Sequence, residues 1–174
     1  MTIQKCFAGM AVLLLAGAFS AAGAGRNSAT AELKDAKGQT VGHVTLKAGK
    51  KGVILSAKVA NLPPGLHAIH VHTVGKCEAP DFKTAGGHFN PESKQHGLEN
   101  PAGHHAGDMP NFMIADDGKG VYTGTLTGVT LAGSGANSLF HEGGTAVVIH
   151  EKEDDMKTDP TGNAGARIAC GPVQ

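Results

Sequence analysis

His70 and His72 stand two residues apart in the run Leu66-His67-Ala68-Ile69-His70-Val71-His72. If that run is a strand, both imidazoles leave the same face with Cα atoms about 6.5–7 Å apart, close enough to converge on one metal ion. His67 then falls on the opposite face with Ile69 and Val71, where a hydrogen-bonded structural role is expected. His150 ends the apolar run Ala146-Val147-Val148-Ile149 and brings one more imidazole from a separate strand. Three imidazoles without a thiolate suit Cu(II) or Zn(II). A second set, His88, His96, His105 and Asp108, combines three imidazoles with a carboxylate, which suits Zn(II). Spacing alone does not separate His105 from its neighbour His104. Asp154 follows His150 by four residues, so its carboxylate could orient ligand imidazoles from behind. His43, which alternates with Val44 and Leu46, and His141 read as surface histidines.

Other chemistries drop out on spacing. His141-Glu142 and His150-Glu151 each begin like a zinc-protease helix, but neither has a second histidine four residues on. A blue-copper site needs a Cys ligand with His and Met nearby, whereas Cys170 is followed only by Gly-Pro-Val-Gln. Neither a nucleophile elbow nor a phosphate loop is present. Nucleic acid is excluded as a partner by composition. The chain balances 15 Lys and Arg against 15 Asp and Glu, and six Phe, one Tyr and no Trp leave little to stack on bases.

The elements that must position these side chains are strands. Beyond residue 24, short runs rich in Val, Ile, Leu and Thr alternate with Gly, Asn, Asp and Pro, and no helix-period segment of useful length occurs. The pattern predicts strands over 29–35, 40–48, 52–61, 65–73, 112–115, 119–131, 145–151 and 166–173, hence an all-β sandwich or barrel. Two stretches resist strand assignment: 74–111, which holds four of the ten histidines, and 152–165. Loops longer than about 15 residues are uncommon in compact domains unless they are functional, so metal is expected to order the first.

Residues 1–24 read as a cleaved signal peptide, with Lys5, an apolar core over 10–19 and the cleavage site Ala22-Gly23-Ala24. The apolar core is shorter than the roughly 20 residues of a membrane span, so the mature chain, 25–174, is expected to carry no membrane anchor. It would be one exported domain, periplasmic or secreted. Setting Cys6 aside leaves Cys77 and Cys170, an even pair expected to form a disulfide in an oxidising compartment.

The motifs His70-Val-His72, Gly87-His88-Phe-Asn-Pro91, His96-Gly97, His105-Ala-Gly-Asp108, Val148-Ile-His150-Glu-Lys and Gly162-Asn-Ala-Gly-Ala-Arg167-Ile-Ala-Cys170-Gly occur in that order. Together they resemble secreted bacterial copper/zinc superoxide dismutases, over essentially the whole of 25–174. The resemblance implies a Greek-key β-sandwich, a flattened eight-stranded barrel of immunoglobulin-like kind, with two long functional loops. It implies dismutation of superoxide to O₂ and H₂O₂ by alternate reduction and oxidation of copper. Copper would be held by His70, His72, His88 and His150, and zinc by His88, His96, His105 and Asp108. His88 would be the shared bridge and, with Arg167, a catalytic residue. Asp154 would link His70 to His96, Cys77 and Cys170 would form the intrachain disulfide, and Thr161 would narrow the channel to copper. A homodimer is one assembly the resemblance allows.

Departures from the compact eukaryotic members are local. The segment from Cys77 to His88 is longer, the loop after His150 is shorter, and Pro160 stands where those members carry a lysine beside the channel threonine. Lys94, Lys152 and Lys157 are the candidates for the missing steering charge, and Arg167 is expected to carry most of the attraction. The competing reading is an exported protein that stores or buffers copper or zinc without turnover. Such a protein needs neither Arg167 nor a bridging His88.

Overall fold

The structure is a computed structural model and describes residues 25–174. The expected signal segment, 1–24, and Cys6 lie outside the described residues. Alternation of apolar and polar residues writes most of the sheet. Ala29, Ala31 and Leu33 are buried in β1 (Ser28–Asp35), Val44 and Leu46 in β2 (Thr40–Gly49), and Val53, Leu55, Ala57 and Val59 in β3 (Gly52–Val59). β4 (Gly65–His67), β5 (Ile69–His72), β6 (Phe112–Ile114), β7 (Gly120–Thr127), β8 (Ala146–His150) and β9 (Arg167–Pro172) follow. All are joined in one antiparallel sheet of order β4-β6-β7-β3-β2-β1-β9-β8-β5. The two edge strands, β4 and β5, are consecutive in the chain. The sheet therefore curls into a nearly closed barrel around Leu33, Leu46, Leu55, Ile69, Leu126 and Ile149.

The predicted strand over 65–73 is two ladders. Ala68 donates its N–H to Lys152 O (2.8 Å) and accepts from His150 N (3.0 Å), so the chain leaves its pairing with β6 and takes up one with β8. Counted as one bent strand, β4 and β5 give the eight strands expected. β7 stops at Thr127, short of the predicted end, because Gly128 turns the chain at φ 72°.

The long connections on either side of β6–β8 contain, among the described residues, a single 3₁₀ turn, Lys83–Ala85. Backbone bonds tie the first of them to the wall: Thr73 N to Gly87 O (2.9 Å), Phe89 N to Val71 O (2.8 Å) and Val71 N to Gly107 O (2.9 Å). The expected disulfide is formed and fastens the same loop to β9, with Cys77 and Cys170 Cα atoms 5.6 Å apart. It is consistent with an oxidising, extracytoplasmic compartment.

Candidate metal centre

On β5, Ile69 and Val71 enter the core, and His70 and His72 take the other face, fully buried. β8 pairs with β5 and ends in His150, where a register shift sets it opposite Arg167 of β9. His88 arrives from the first loop through an isolated backbone bridge to His72. One ring nitrogen from each of these four histidines lies within 4.8 Å of the others.

Hydrogen bonds assign the tautomers. His70 Nε2 donates to Asp154 Oδ2 (2.8 Å), His72 Nδ1 to Gly86 O (2.9 Å) and His150 Nδ1 to Gly165 O (3.4 Å). What faces the centre is therefore a set of lone pairs. His70 Nδ1 and His88 Nε2 are buried without a hydrogen-bond partner, while His72 Nε2 and His150 Nε2 oppose each other at 3.3 Å. Lone pairs at that distance repel unless a cation shares them. Burial, reinforced by the neighbouring imidazoles, disfavours protonation of three of them: His72 is held well below the usual range, His88 at about 4 and His150 at about 3. Neutral imidazoles without a thiolate fit copper.

His88 reaches a second cluster with its other nitrogen. Its Nδ1 lies 2.8 Å from Asp108 Oδ1, and His96 Nδ1 and His105 Nδ1 lie 3.0 and 3.3 Å from that same oxygen. These separations sit near the roughly 3.3 Å edge of a tetrahedron built on zinc–ligand bonds of about 2.0 Å. Asp108 Oδ2 is engaged elsewhere, accepting the N–H groups of Gly97 and His105 at 3.0 Å each, so Oδ1 is the free ligand atom. Burial alone would raise the Asp108 pKa, but its imidazole and backbone partners outweigh it and hold the carboxyl far below its usual range. The donor set fits zinc, and His88, with one nitrogen in each cluster, fits a bridge.

Asp154 stands behind both clusters. It accepts from His70 Nε2 (2.8 Å) and His96 Nε2 (2.9 Å), completely buried. Asn111 clamps its backbone, donating Nδ2 to Asp154 O (2.8 Å) and accepting Asp154 N (2.9 Å). Gly162, at φ 62°, leaves the room; a Cβ there would collide with Asp154 Oδ1 and His96 Nε2. Asp159 accepts His96 N at 2.6 Å and approaches His105 Nε2 to 3.8 Å. Nothing in the sequence marks Asn111 or Asp159, because their hydrogen bonds here are to backbone groups.

Arg167 is half-buried and lines a cleft of about 370 Å³ with Pro80, Asp81, Lys83, Gly165 and Ala166. Thr161 is not among those residues. It is exposed, immediately before the turn at Gly162 and Asn163, whose φ values are 62° and 54°. The three candidate lysines are also elsewhere. Lys94 pairs with Glu92 (2.6 Å), Lys157 with Glu99 (2.9 Å), and Lys152 lines a different groove with Glu151 and Glu153. The second cation lining the cleft is Lys83, itself paired with Asp81 at 2.8 Å.

The remaining histidines fall outside both clusters. His67 is buried between Pro63 O and His150 O, as expected of a structural residue. His104 turns its Nδ1 to His105 O (2.7 Å), which leaves His105 as the cluster member. His43 is exposed, but His141 is not a free surface residue: it is half-buried and stacked on Phe89 with centroids 5.3 Å apart.

The sequence matches the family described as copper/zinc superoxide dismutase over residues 40–173. It is 50% identical over 145 residues to the Cu-Zn superoxide dismutase 1 of Aquifex aeolicus, covering 83% of this chain and 86% of that protein. The fold is similar to a crystal structure of a superoxide dismutase-like protein from Bacillus subtilis, with TM-score 0.79, 38% identity, and 87% and 100% of the two chains covered. It is similar also to the Cu/Zn superoxide dismutase from Brucella abortus, with TM-score 0.69, 26% identity, and 84% and 99% covered.

Proposed function

The chain belongs to the copper/zinc superoxide dismutase family, and on that footing we propose that it converts superoxide to O₂ and H₂O₂. His70, His72, His88 and His150 would hold copper, and His88, His96, His105 and Asp108 would hold zinc. The observation that carries this reading is His88, whose two ring nitrogens serve different clusters. Family membership alone leaves storage open, since the Bacillus subtilis relative is described only as superoxide dismutase-like. A protein that merely buffers metal gains nothing from a shared imidazole or from an arginine in the adjoining cleft.

Copper held there would supply one-electron redox chemistry, by which two superoxide anions and two protons become O₂ and H₂O₂. The rest is done by side chains. Arg167 uses two of its N–H groups on backbone carbonyls and has others free to hydrogen-bond an anion in the cleft. Its charge draws the anion in, an electrostatic focusing for which superoxide dismutases are a known example. His88 can hold a proton at Nε2, which has no hydrogen-bond partner, when that atom is not ligating. Asp154 keeps protons on His70 Nε2 and His96 Nε2, so that their Nδ1 atoms remain ligands.

We further assign the chain to an oxidising compartment outside the cytoplasm, exported by residues 1–24 and free as 25–174 in the periplasm or beyond. The Cys77–Cys170 bond supports this placement. The test of function is dismutation by metal-free, zinc-only and copper-plus-zinc protein. Turnover is expected only with copper. Full copper loading without turnover would favour storage, and equal rates for the zinc-only and fully loaded forms would refute the redox assignment.

A further inference from the structure

Arg167 takes its direction from a part of the first loop that ligates no metal. Its Nη1 donates to Phe82 O and its Nη2 to Gly86 O, at 2.7 Å each. Gly86 O also accepts His72 Nδ1 (2.9 Å), so a fixed guanidinium and a metal-binding imidazole share one carbonyl. The two acceptors flank the 3₁₀ turn Lys83–Ala85, closed by Ala85 N to Phe82 O (3.1 Å) and Gly86 N to Lys83 O (3.0 Å). One turn in a loop of this length has no cooperativity of its own and needs an anchor.

That anchor is the Phe82 ring. Its neighbours Asp81 and Lys83 are exposed, yet Phe82 is only 1% exposed. It packs with Ala85, Ala146, Val148 and the disulfide cysteines in a cluster apart from the barrel core. It does so at φ 53°, ψ 23°, a left-handed conformation that bulky aromatic residues rarely adopt and that persists only where the surroundings impose it. Here the ring is held by the wall and the disulfide, while the carbonyl of the same residue is held out to Arg167.

We propose that Phe82 is a positioning residue for Arg167: the ring locks the turn whose two carbonyls aim the guanidinium into the cleft. The proposal rests on the dismutase reading for its consequence in turnover, but not for its geometry. Without the ring the turn loses its attachment to β8 and the disulfide, the Phe82 carbonyl moves first, and the guanidinium loosens while His70, His72 and His150 keep their places on β5 and β8.

The experiment compares wild type, Phe82→Ala and Phe82→Leu as full mature chains loaded with copper and zinc. Phenylglyoxal modification of Arg167 is followed by mass spectrometry relative to Arg26, the only other arginine. Phe82→Ala should raise the Arg167:Arg26 rate ratio at least fivefold and lower dismutation several-fold with metal content unchanged. Phe82→Leu should stay near wild type in both. Leu126→Ala, in the barrel core, controls for a general loss of stability and should leave the ratio unchanged. A wild-type ratio in Phe82→Ala, or an equal rise in Leu126→Ala, overturns the proposal. Should Phe82→Ala lose its metals, Phe82→Leu and Phe82→Val carry the test, because the ratio must climb with the volume removed and a flat ratio refutes it. A wild type without turnover whose Arg167 is still released by Phe82→Ala would refute the dismutase reading and leave the positioning role standing.

Discussion

Asp154→Asn should weaken both metals at once. The carboxylate accepts two imidazole N–H groups, from His70 on the copper side at 2.8 Å and from His96 on the zinc side at 2.9 Å. Burial opposes its charge, but the two histidines overcome that and keep it ionised, well below the usual carboxylate range. An asparagine of the same shape keeps the backbone clamp to Asn111 but offers one acceptor oxygen and one NH₂. One imidazole keeps a neutral acceptor, and the other meets a donor facing a donor. A hydrogen bond to a charged group is worth about 1.5–3 kcal/mol, and removing a partner behind a ligand typically lowers metal affinity about 10–100-fold, or roughly 1.4–2.7 kcal/mol. Copper and zinc dissociation constants, measured separately against competing chelators, should each rise within that range. The thermal midpoint of the metal-loaded protein should fall more than that of the metal-free protein. If only one metal weakens, Asp154 does not couple the clusters; if stability drops while both affinities hold, it does not orient ligands at all.

Four further outcomes follow from particular contacts. In the metal-free protein, the depressed imidazoles His72, His88 (about 4) and His150 (about 3) lend stability above their unfolded value near 6.5, lost as pH falls toward 4 and 3. His96, lifted to about 9 by Asp108 and Asp154 against its burial, lends stability below 6.5 that is lost as pH rises through 9; thermal midpoints should peak near neutrality, and a midpoint flat from pH 4 to 9 contradicts this. Cys170→Ser opens a bridge spanning 93 residues and should cost about 4 kcal/mol, on the order of 10 °C in midpoint under oxidising conditions, with no difference from wild type under reducing ones. Tyr122 carries a buried hydroxyl without a partner, its pKa pushed to about 12 by burial, so Tyr122→Phe should stabilise by about 1 kcal/mol; destabilisation on melting would show that the hydroxyl is satisfied. Asp81→Asn leaves Lys83 unneutralised at the cleft and should speed dismutation about twofold at low ionic strength, an effect that vanishes in high salt; an unchanged low-salt rate would place this pair outside the field felt by the anion.

What could be read in advance was what residue type and period encode. Val53, Leu55, Ala57 and Val59 announce a half-buried strand, and His70 and His72 announce one metal-facing face, because period two leaves no other choice once the strand is granted. The ligands in the first loop are legible without any secondary structure, since imidazole and carboxylate carry their chemistry with them. The break at Ala68 is not legible: no Gly or Pro marks it, and it is imposed by Lys152 O and His150 N, more than eighty residues away in the chain. Phe82 and Asn111 escape for a related reason. The first contributes a carbonyl and the second binds a backbone, and neither act depends on a recognisable motif. Thr161 is the reverse case, a residue named by likeness alone, since nothing in its type or spacing marks it and it stands exposed beside the buried Gly162.

The two metal sites differ in how far the bare fold prepares them. Three imidazoles of the first cluster, those of His70, His72 and His150, stand on paired strands that pack on the barrel core, and Arg167 lies opposite His150 in a neighbouring ladder. The fourth, His88, and every member of the second cluster come from the loop between β5 and β6, which is tied to the wall by isolated backbone bonds rather than by a ladder. The first cluster therefore rests mostly on the packing of the barrel, whereas ions bound at the second would add to the bonds that hold a long loop. The sites communicate at two points, His88 directly and Asp154 through His70 and His96. Zinc held at the second cluster would steady His88, two residues from Gly86, whose carbonyl together with that of Phe82 aims Arg167. A redox-silent ion can thus govern access to the copper site without lying on the path of the electron.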